Sequence, residues 1–430
     1  MLPTNHPQRL SLHGEMHARP HARIRIPALI TNVAVLNEGV SLADELAVLR
    51  QLPGQAQLNL EALATSFLRV QTEHYIVKWE RHGEFTRYSI TQPLPESIAW
   101  GAHDPDLAAL LPTPAGWLAL IPGSTISATQ LAMLATAQAD EADTLKAAAA
   151  WLGTEQILAA RVGAGFVTAF SDFRLREDGF CRYVTIAQAL TPSRAGRVSA
   201  RLIELEIYRM LALMGFPIAR QLGPLLKEAE LKLADITADM DATHSSDSEL
   251  LHELIALAAK IEGATAAHSF RFSATTAYQN LVQTRLTELN EVRLQGVQTF
   301  GEFLNRRFLP AMATVEATHK RLTNLSERIE RSSALIRTRA DIVREEQNQK
   351  LLEKLTDGQR LQLRLQQTVE GLSIVAISYY AISLLGYAFK AGKAAGMPLN
   401  TDIATGLSVP LVVLSVGFFV IRLRKLTSAH

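Results

Sequence analysis

Two long runs of uncharged residues near the C-terminus constrain this chain more than any other feature. Gly371–Phe389 (GLSIVAISYYAISLLGYAF) and Ile403–Ile421 (IATGLSVPLVVLSVGFFVI) are each nineteen residues long, with thirteen residues between them. About twenty apolar residues in a helix cross the hydrocarbon core of a bilayer. The pattern therefore predicts a two-helix transmembrane hairpin over residues 371–421, with spans at 371–389 and 403–421, and a lipid bilayer as its partner.

The charges that flank the two runs predict the orientation of the hairpin. Arg422, Arg424 and Lys425 follow the second run, and Arg360 and Arg364 precede the first. Basic residues are enriched on the cytoplasmic side of membrane helices. We therefore expect both termini in the cytoplasm, with residues 422–430 forming a basic cytoplasmic tail. The start of the chain has no apolar run typical of a signal peptide, which favours the same orientation.

The segment before the first run, residues 225–370, is predicted to be a stalk of three helices, with breaks near Thr243–Ser248, Gly263 and Pro310. In the last helix, apolar residues recur every seven positions: Val315, Leu322, Ile329, Ile336 and Val343. A repeat of seven is typical of helices that pack in a coiled coil. We expect this helix to pack on the other two and on copies of the chain, which gives a homo-oligomer held together by the stalk and the first span.

Composition limits the remaining possibilities. The 430 residues are 48% hydrophobic and 20% charged, which favours a packed protein of two or three units. A formal net charge of +1 gives no reason to expect nucleic acid as a partner. Cys181 is the one cysteine, so neither an internal disulfide nor a thiolate metal cluster is possible.

Residues 1–224 are predicted to form an α/β (or α+β) cytoplasmic domain, because apolar extended segments alternate with helical ones. Ser41 is a suitable N-cap for a helix over Ser41–Leu52, and Glu177-Asp178-Gly179 is suited to a hairpin turn. The other predicted elements are a strand at Ile30–Leu36, a buried strand at Gly116–Gly123, an alanine-rich helix at Thr129–Ala150 and a helix at Ser193–Met214.

Two histidine and carboxylate clusters in this domain are candidate metal ligands. In an extended segment, alternate residues lie on one face, and the candidate ligands are His13, Glu15, His17, Glu80, His82 and Glu84. Imidazole and carboxylate groups bind zinc or iron, so a divalent metal ion is a possible cofactor. The alternative is an exposed N-terminal arm in one case and a charged, solvated strand face in the other.

Hydroxyl groups form a stripe along the first span. Ser373, Tyr380 and Tyr387 recur every seven residues, and Ser383 lies between the two tyrosines. Polar groups in a membrane helix face a partner helix or a water-filled path. Both interpretations remain open: a pore lining, or contact between helices.

Four segments resemble a bacterial family of uncharacterised, membrane-anchored proteins, a domain of unknown function that covers almost the whole chain. They are Leu12–Pro20 (LHGEMHARP), Lys78–Phe85 (KWERHGEF), Gly196–Leu213 (GRVSARLIELEIYRMLAL) and Leu363–Tyr380 (LRLQQTVEGLSIVAISYY). The resemblance implies a protein of the bacterial inner membrane and assigns no catalytic residue. In architecture the chain is also similar to CorA-type magnesium transporters. The Gly-Met-Asn filter of those proteins follows their first span, whereas this chain has Gly396-Met397-Pro398 in the loop.

Three functions follow as hypotheses. No nucleotide-binding, zinc-protease or serine-hydrolase motif occurs in the sequence, so a membrane-anchored, non-enzymatic role comes first. Its most concrete form is a CorA-like oligomeric divalent-cation transporter or channel. The second hypothesis is a membrane-tethered sensor or scaffold with a ligand- or protein-binding cytoplasmic domain. The third is a metal-dependent enzyme that uses the histidine and glutamate clusters.

Overall fold

The computed structural model describes residues 3–9, 12, 22–96, 98–136, 140–241, 246–396, 398 and 400–427. The chain divides into two compact units, Met1–Ser245 with His252–Ser333, and Ser246–Leu251 with Ala334–His430.

Nine strands and eight helices form the described part of the chain, apart from three short 3-10 turns. The strands β1 to β9 are Ala28–Leu36, Phe67–Gln71, Ile76–Arg81, Phe85–Pro93, Ser124–Ala135, Leu158–Val162, Val167–Leu175, Cys181–Ala187 and Val292–Arg293. The helices α1 to α8 are Leu42–Leu49, Glu141–Leu152, Pro192–Leu213, Gly215–Asp241, Asp247–Leu289, Phe300–Arg307, Leu309–Ala394 and Thr401–Thr427.

One mixed sheet is the centre of the first unit. Its strand order is β2-β3-β4-β1-β5-β8-β7-β6-β9. The pairing of β5 with β8 is parallel, and the other pairings between neighbouring strands are antiparallel. A mixed α/β sheet domain therefore forms the N-terminal part of the chain, and long helices follow it.

Both faces of the sheet are covered, because successive residues of its central strands are apolar and their side chains point alternately to the two faces. On one face, residues of β1 and β5 to β8 pack with α3, α5 and α6 in a core that includes Ile30, Leu202 and Phe300. On the opposite face, α1 covers β1, β3 and β4, where Trp79 and Tyr88 are fully buried, and α2 covers β5, β7 and β8.

Several predicted elements differ from the observed ones. The segment predicted as a buried strand at Gly116–Gly123 contains a 3-10 turn, Trp117–Leu120, and its tryptophan donates from Nε1 to the carbonyl of Val48 at 2.9 Å. The first part of the predicted helix Thr129–Ala150 is strand β5. The helix break predicted at Gly263 is absent, since α5 runs through that residue.

The heptad positions in the first unit are buried within the chain. Val315, Leu322 and Ile329 are each 1–2% exposed. The ring of His319 lies 5.6 Å from that of Phe272 in α5. This part of the seam therefore packs on helices of the same chain.

In the second unit, α7 and α8 are long and apolar enough to cross a membrane. The most apolar 18-residue windows have mean hydropathies of 1.7 and 2.2, and 6% and 0% of them are buried. Large side chains such as Leu372, Leu384 and Leu414 are 69–73% exposed. An apolar core helix of a water-soluble protein would instead be mostly buried. In the same unit, every residue from 341 to 369 is exposed.

Candidate ligand cavity

The hairpin of β3 and β4 presents charged groups to α3. Val77 and Trp79 face the core beneath α1, so Lys78 and Glu80 face the other side of the sheet. Glu80 lies directly opposite Arg87 of β4 in the strand register. Alternation along two neighbouring strands therefore places Lys78, Glu80 and Arg87 together.

These three groups belong to a buried ionic network that joins the sheet to two helices. Arg87 donates from Nε to Glu80 at 2.6 Å and from Nη1 to Glu204 of α3 at 3.3 Å. Glu204 also accepts from Nε of Arg285 in α5 at 2.6 Å. Lys78 Nζ lies 3.0 Å from a carboxylate oxygen of Glu80. The network holds three cations against two carboxylates, and its five side chains are 2–21% exposed.

Burial and neighbouring charges shift the pKa values of these groups. Burial lowers the pKa of the Lys78 ammonium, and the positive charge of Arg87 lowers it further, against the opposing effect of Glu80. Burial acts to raise the pKa of Glu80, but the charges of Arg87 and Lys78 outweigh it, and the net shift is downward. Lys78 is therefore a largely buried cation whose positive charge Glu80 only partly balances.

A cavity of about 360 Å³ lies over this network, between the sheet, α3 and the segment 22–24. This volume is within the usual range of small-molecule sites. The lining residues are Ala22, Arg23, Ile24, Ile30, Phe67, Arg69, Ile76, Lys78, Arg87, Ser89, Thr91, Gly196, Ser199, Ala200 and Ile203. Four of them are cationic, and no described carboxylate is among them. The cavity therefore favours a ligand with negative charge and apolar surface.

A close backbone contact closes one side of the cavity. A Cβ atom at Gly196 would lie 1.6 Å from the carbonyl oxygen of Ala22, so only glycine allows the segment 22–24 to rest on α3. The amide of Ile24 donates to the carbonyl of Pro192 at 3.0 Å, and the Ile24 side chain is 3% exposed. Gly196 thus allows the segment 22–24 to lie against α3 and to form one wall of the cavity.

The side chains of the second predicted metal cluster, Glu80, His82 and Glu84, are engaged in ion pairs and ring stacking. Glu80 binds Arg87 and Lys78, while Glu84 accepts from both Nη atoms of Arg271 at 2.6 and 3.2 Å. The ring of His82 stacks on that of Phe85 at 4.3 Å. No group of three or more histidine, cysteine, aspartate or glutamate residues within the described ranges is arranged to hold a metal ion.

The first predicted cluster, His13, Glu15 and His17, lies outside the described residues. A metal site that includes these three residues therefore stays a prediction.

The hydroxyl stripe of the first predicted span lies on α7. Ser373 and Ser383 donate to the carbonyls of Val369 and Tyr379, four residues earlier, at 2.8 and 2.9 Å. Tyr380 and Tyr387 are 68% and 70% exposed. At the end of the second predicted span, Arg422 is exposed, and Arg424 and Lys425 lie in the same helix α8.

The sequence patterns did not predict the cavity, although some of its residues lie in the segments that carry the family resemblance. Lys78 begins one of the segments that carry the family resemblance, and Gly196 begins another; the fold brings both to this site. The available signal was the alternation of Lys78 and Glu80 with buried Val77 and Trp79. Nothing in the spacing indicated α3 as the facing element.

Comparison with known proteins identifies one family. A family described as "Protein of unknown function (DUF3422)" matches residues 4–427. Neither the curated proteins nor the solved structures contain a match to the chain. Since the family match covers nearly the whole length, the chain belongs to the DUF3422 family.

Proposed function

We propose that this protein is a membrane-tethered sensor whose N-terminal α/β domain binds a small ligand on the cytoplasmic side. The observation that carries the proposal is the cavity over Lys78 and Arg87, which is lined by cations and apolar side chains. Buried charge without full compensation is costly, so an arrangement of this kind favours a ligand that supplies the missing negative charge.

The exposed apolar helices support membrane attachment. Contiguous apolar surface of this extent is unfavourable in water, and lipid covers it at lower free energy. Together with the basic residues Arg422, Arg424 and Lys425 after the second span, this favours two spans in a bacterial inner membrane, with both termini in the cytoplasm.

Cysteine labelling tests the topology directly, because the natural Cys181 is buried. Ala395→Cys places a thiol in the loop between the spans, and Glu346→Cys places one before the first span. An impermeant maleimide added to intact spheroplasts should label Ala395→Cys alone, and Glu346→Cys should react only after permeabilisation. Equal labelling of both variants in intact spheroplasts would exclude the proposed orientation.

Small molecules that copurify with the protein test ligand binding. Ala200→Phe in α3 adds a ring to the cavity wall, whereas Ala266→Phe adds one to an exposed position of α5. Mass spectrometry of extracts should find a compound that is retained by the natural protein and by Ala266→Phe and is lost from Ala200→Phe. Identical extracts from all three proteins would contradict a ligand site at this cavity.

The second candidate function is a CorA-like oligomeric path for divalent cations, and the exposure of Tyr380 and Tyr387 on α7 favours it. Leu351, Leu355 and Leu365, also more than half exposed in the same helix, are suited to contacts between copies. The mass of the purified particle, with cation flux into proteoliposomes, tests this candidate. A monomer, or flux equal to that of empty vesicles, would exclude it.

A further inference from the structure

The charge balance around the cavity indicates how much negative charge the ligand carries. Lys78, Arg87 and Arg285 face two carboxylates, Glu80 and Glu204, so the buried network has an excess of one positive charge. Arg285 also pairs with Glu288, which in turn pairs with Arg201. Counting that extension adds one charge of each sign and leaves the same excess. A single negative charge on the ligand would balance the network.

Lys78 has N–H donors that the network does not use. An ammonium has three N–H donors, and among the described residues Glu80 alone accepts from Nζ. The donors of Arg87 already serve two carboxylates, Glu80 and Glu204. Lys78 is therefore positioned to donate to an anionic group in the cavity, and Arg87 contributes its charge.

The mouth of the cavity adds two more cations. Arg23 and Arg69 are exposed lining residues, and within the described ranges neither has a carboxylate partner. Because water solvates both side chains, they do not need a counter-ion of their own. They attract an anion toward Lys78 by long-range Coulomb interaction.

The rest of the lining is suited to an apolar group. The side chains of Ile24, Ile30 and Ile76 line the cavity together with Phe67 and Ile203. A fully polar ion would lose hydration next to these side chains and gain no hydrogen bonds from them. A ligand with an apolar body gains free energy in proportion to the apolar surface that it buries here.

We propose that the ligand is an amphipathic monocarboxylic acid, whose carboxylate binds Lys78 beside Arg87 and whose apolar body lies among the isoleucines. This inference rests on the proposed function, because it names the ligand class of the same cavity. A carboxylate carries the one charge that the network lacks, whereas a phosphate monoester carries between one and two at neutral pH.

Calorimetry with hexanoate tests the proposal on the full-length protein in lipid nanodiscs, with protein-free nanodiscs as the blank for partition into lipid. Hexanol, hexylammonium and hexyl phosphate have the same apolar chain with a different head group. We expect hexanoate to bind at least about tenfold more tightly than hexanol and hexylammonium, which have no anionic group, since a charge-assisted hydrogen bond contributes about one decade of affinity. Hexyl phosphate should also bind less tightly than hexanoate, because its charge exceeds the single negative charge that the network lacks.

Variants place the binding at the cavity. Ala200→Phe should abolish hexanoate binding, and Lys78→Met should weaken it about tenfold. Arg69→Gln, a change at an exposed position that leaves the core intact, should weaken it about threefold at low salt and less at high salt. Ala266→Phe and Lys227→Met, at exposed positions of α5 and α4, should bind hexanoate as the natural protein does.

The outcomes separate this inference from the function on which it rests. If hexanol or hexyl phosphate binds as tightly as hexanoate and Ala200→Phe blocks it, the cavity is a ligand site and the carboxylic acid assignment is wrong. If Ala200→Phe changes the binding of no probe, the assignment and the ligand site both fail. Binding of hexanoate that depends on Ala200 and on Lys78 supports both.

Discussion

Replacing Gly196 with alanine should destabilise the α/β domain, although alanine is the better helix former. The added Cβ would lie 1.6 Å from the Ala22 carbonyl oxygen and 2.8 Å from its carbon. These are backbone atoms, so no side-chain rotation relieves the clash, and the segment 22–24 must leave α3. In an unobstructed helix, the same change stabilises by about 1 kcal/mol.

The magnitude follows from the contacts of Ile24. Its side chain is 3% exposed, and losing that burial costs about 2 kcal/mol. Its amide donates to the carbonyl of Pro192 at 3.0 Å, and losing this hydrogen bond costs about 1 kcal/mol. After the gain in helix propensity is subtracted, the free energy of unfolding should fall by about 2 kcal/mol.

Urea unfolding followed by tryptophan fluorescence measures this change, because all four tryptophans lie in the α/β domain. A loss of about 2 kcal/mol lowers the urea midpoint by about 1 M at a typical dependence on urea. Gly263→Ala in α5 is the matched control, since no atom beyond its chain neighbours and the adjacent helix backbone lies within 4 Å of its Cβ position. Its midpoint should stay or rise. A rise of the midpoint in Gly196→Ala would refute the close approach of segment 22–24.

Three further changes test the packing of the domain and of the long helix. Glu84→Gln should lower the free energy of unfolding by about 2 kcal/mol in urea titrations, because it breaks a largely buried pair with Arg271. The pKa of Glu80 in the folded protein lies below its ordinary 4.5, so the stabilisation that this carboxylate provides should be present above pH 4.5 and disappear as the pH falls through the folded pKa. In Glu80→Gln, the free energy of unfolding should therefore depend less on pH in the acid range. Ile329→Ala should lower the free energy of unfolding by about 2–5 kcal/mol in thermal unfolding followed by circular dichroism. Ile342→Ala, at a position 56% exposed, should lower it by under about 0.5 kcal/mol.

Each of these expectations has a control or a contrary result. Glu316→Gln breaks an exposed pair with Lys320 and should leave the free energy of unfolding nearly unchanged, so an equally small effect of Glu84→Gln would contradict the buried pair. If the free energy of unfolding depends on acid pH equally in Glu80→Gln and in the natural protein, the Glu80 carboxylate is not stabilised by Lys78 and Arg87. Equal losses at Ile329 and Ile342 would contradict packing of the seam within the chain.

Local signals predicted some elements well because the deciding contacts lie within a few residues. Ser41 was predicted as an N-cap, and its hydroxyl accepts from the amide of Asp44 in a capping box at the start of α1. The turn at Glu177-Asp178-Gly179 was also confirmed, between β7 and β8. In both cases the stabilising groups are neighbours in sequence.

Elements whose partners are distant were predicted wrongly. Thr129–Ala135 has the composition of a helix, but as part of β5 it pairs with β1 on one side and β8 on the other. Hydrogen bonds to two strands and burial of Leu131 and Leu134 outweigh a helix preference of a few tenths of a kcal/mol per residue. At Gly263, burial of Ile261, 0% exposed, outweighs the cost of one glycine within α5.

The sequence by itself determined the two long apolar helices, their flanking charges and the mixed character of the N-terminal domain. A run of nineteen uncharged residues defines a candidate membrane helix without reference to any partner. Only the tertiary structure decided where the cavity lies and which charges surround it. Arg87 and Glu204 are 117 residues apart in the chain, and Gly196 is selected by a backbone oxygen of Ala22. Such contacts arise only when sheet and helix pack, because the residues that make them have no local relation in sequence.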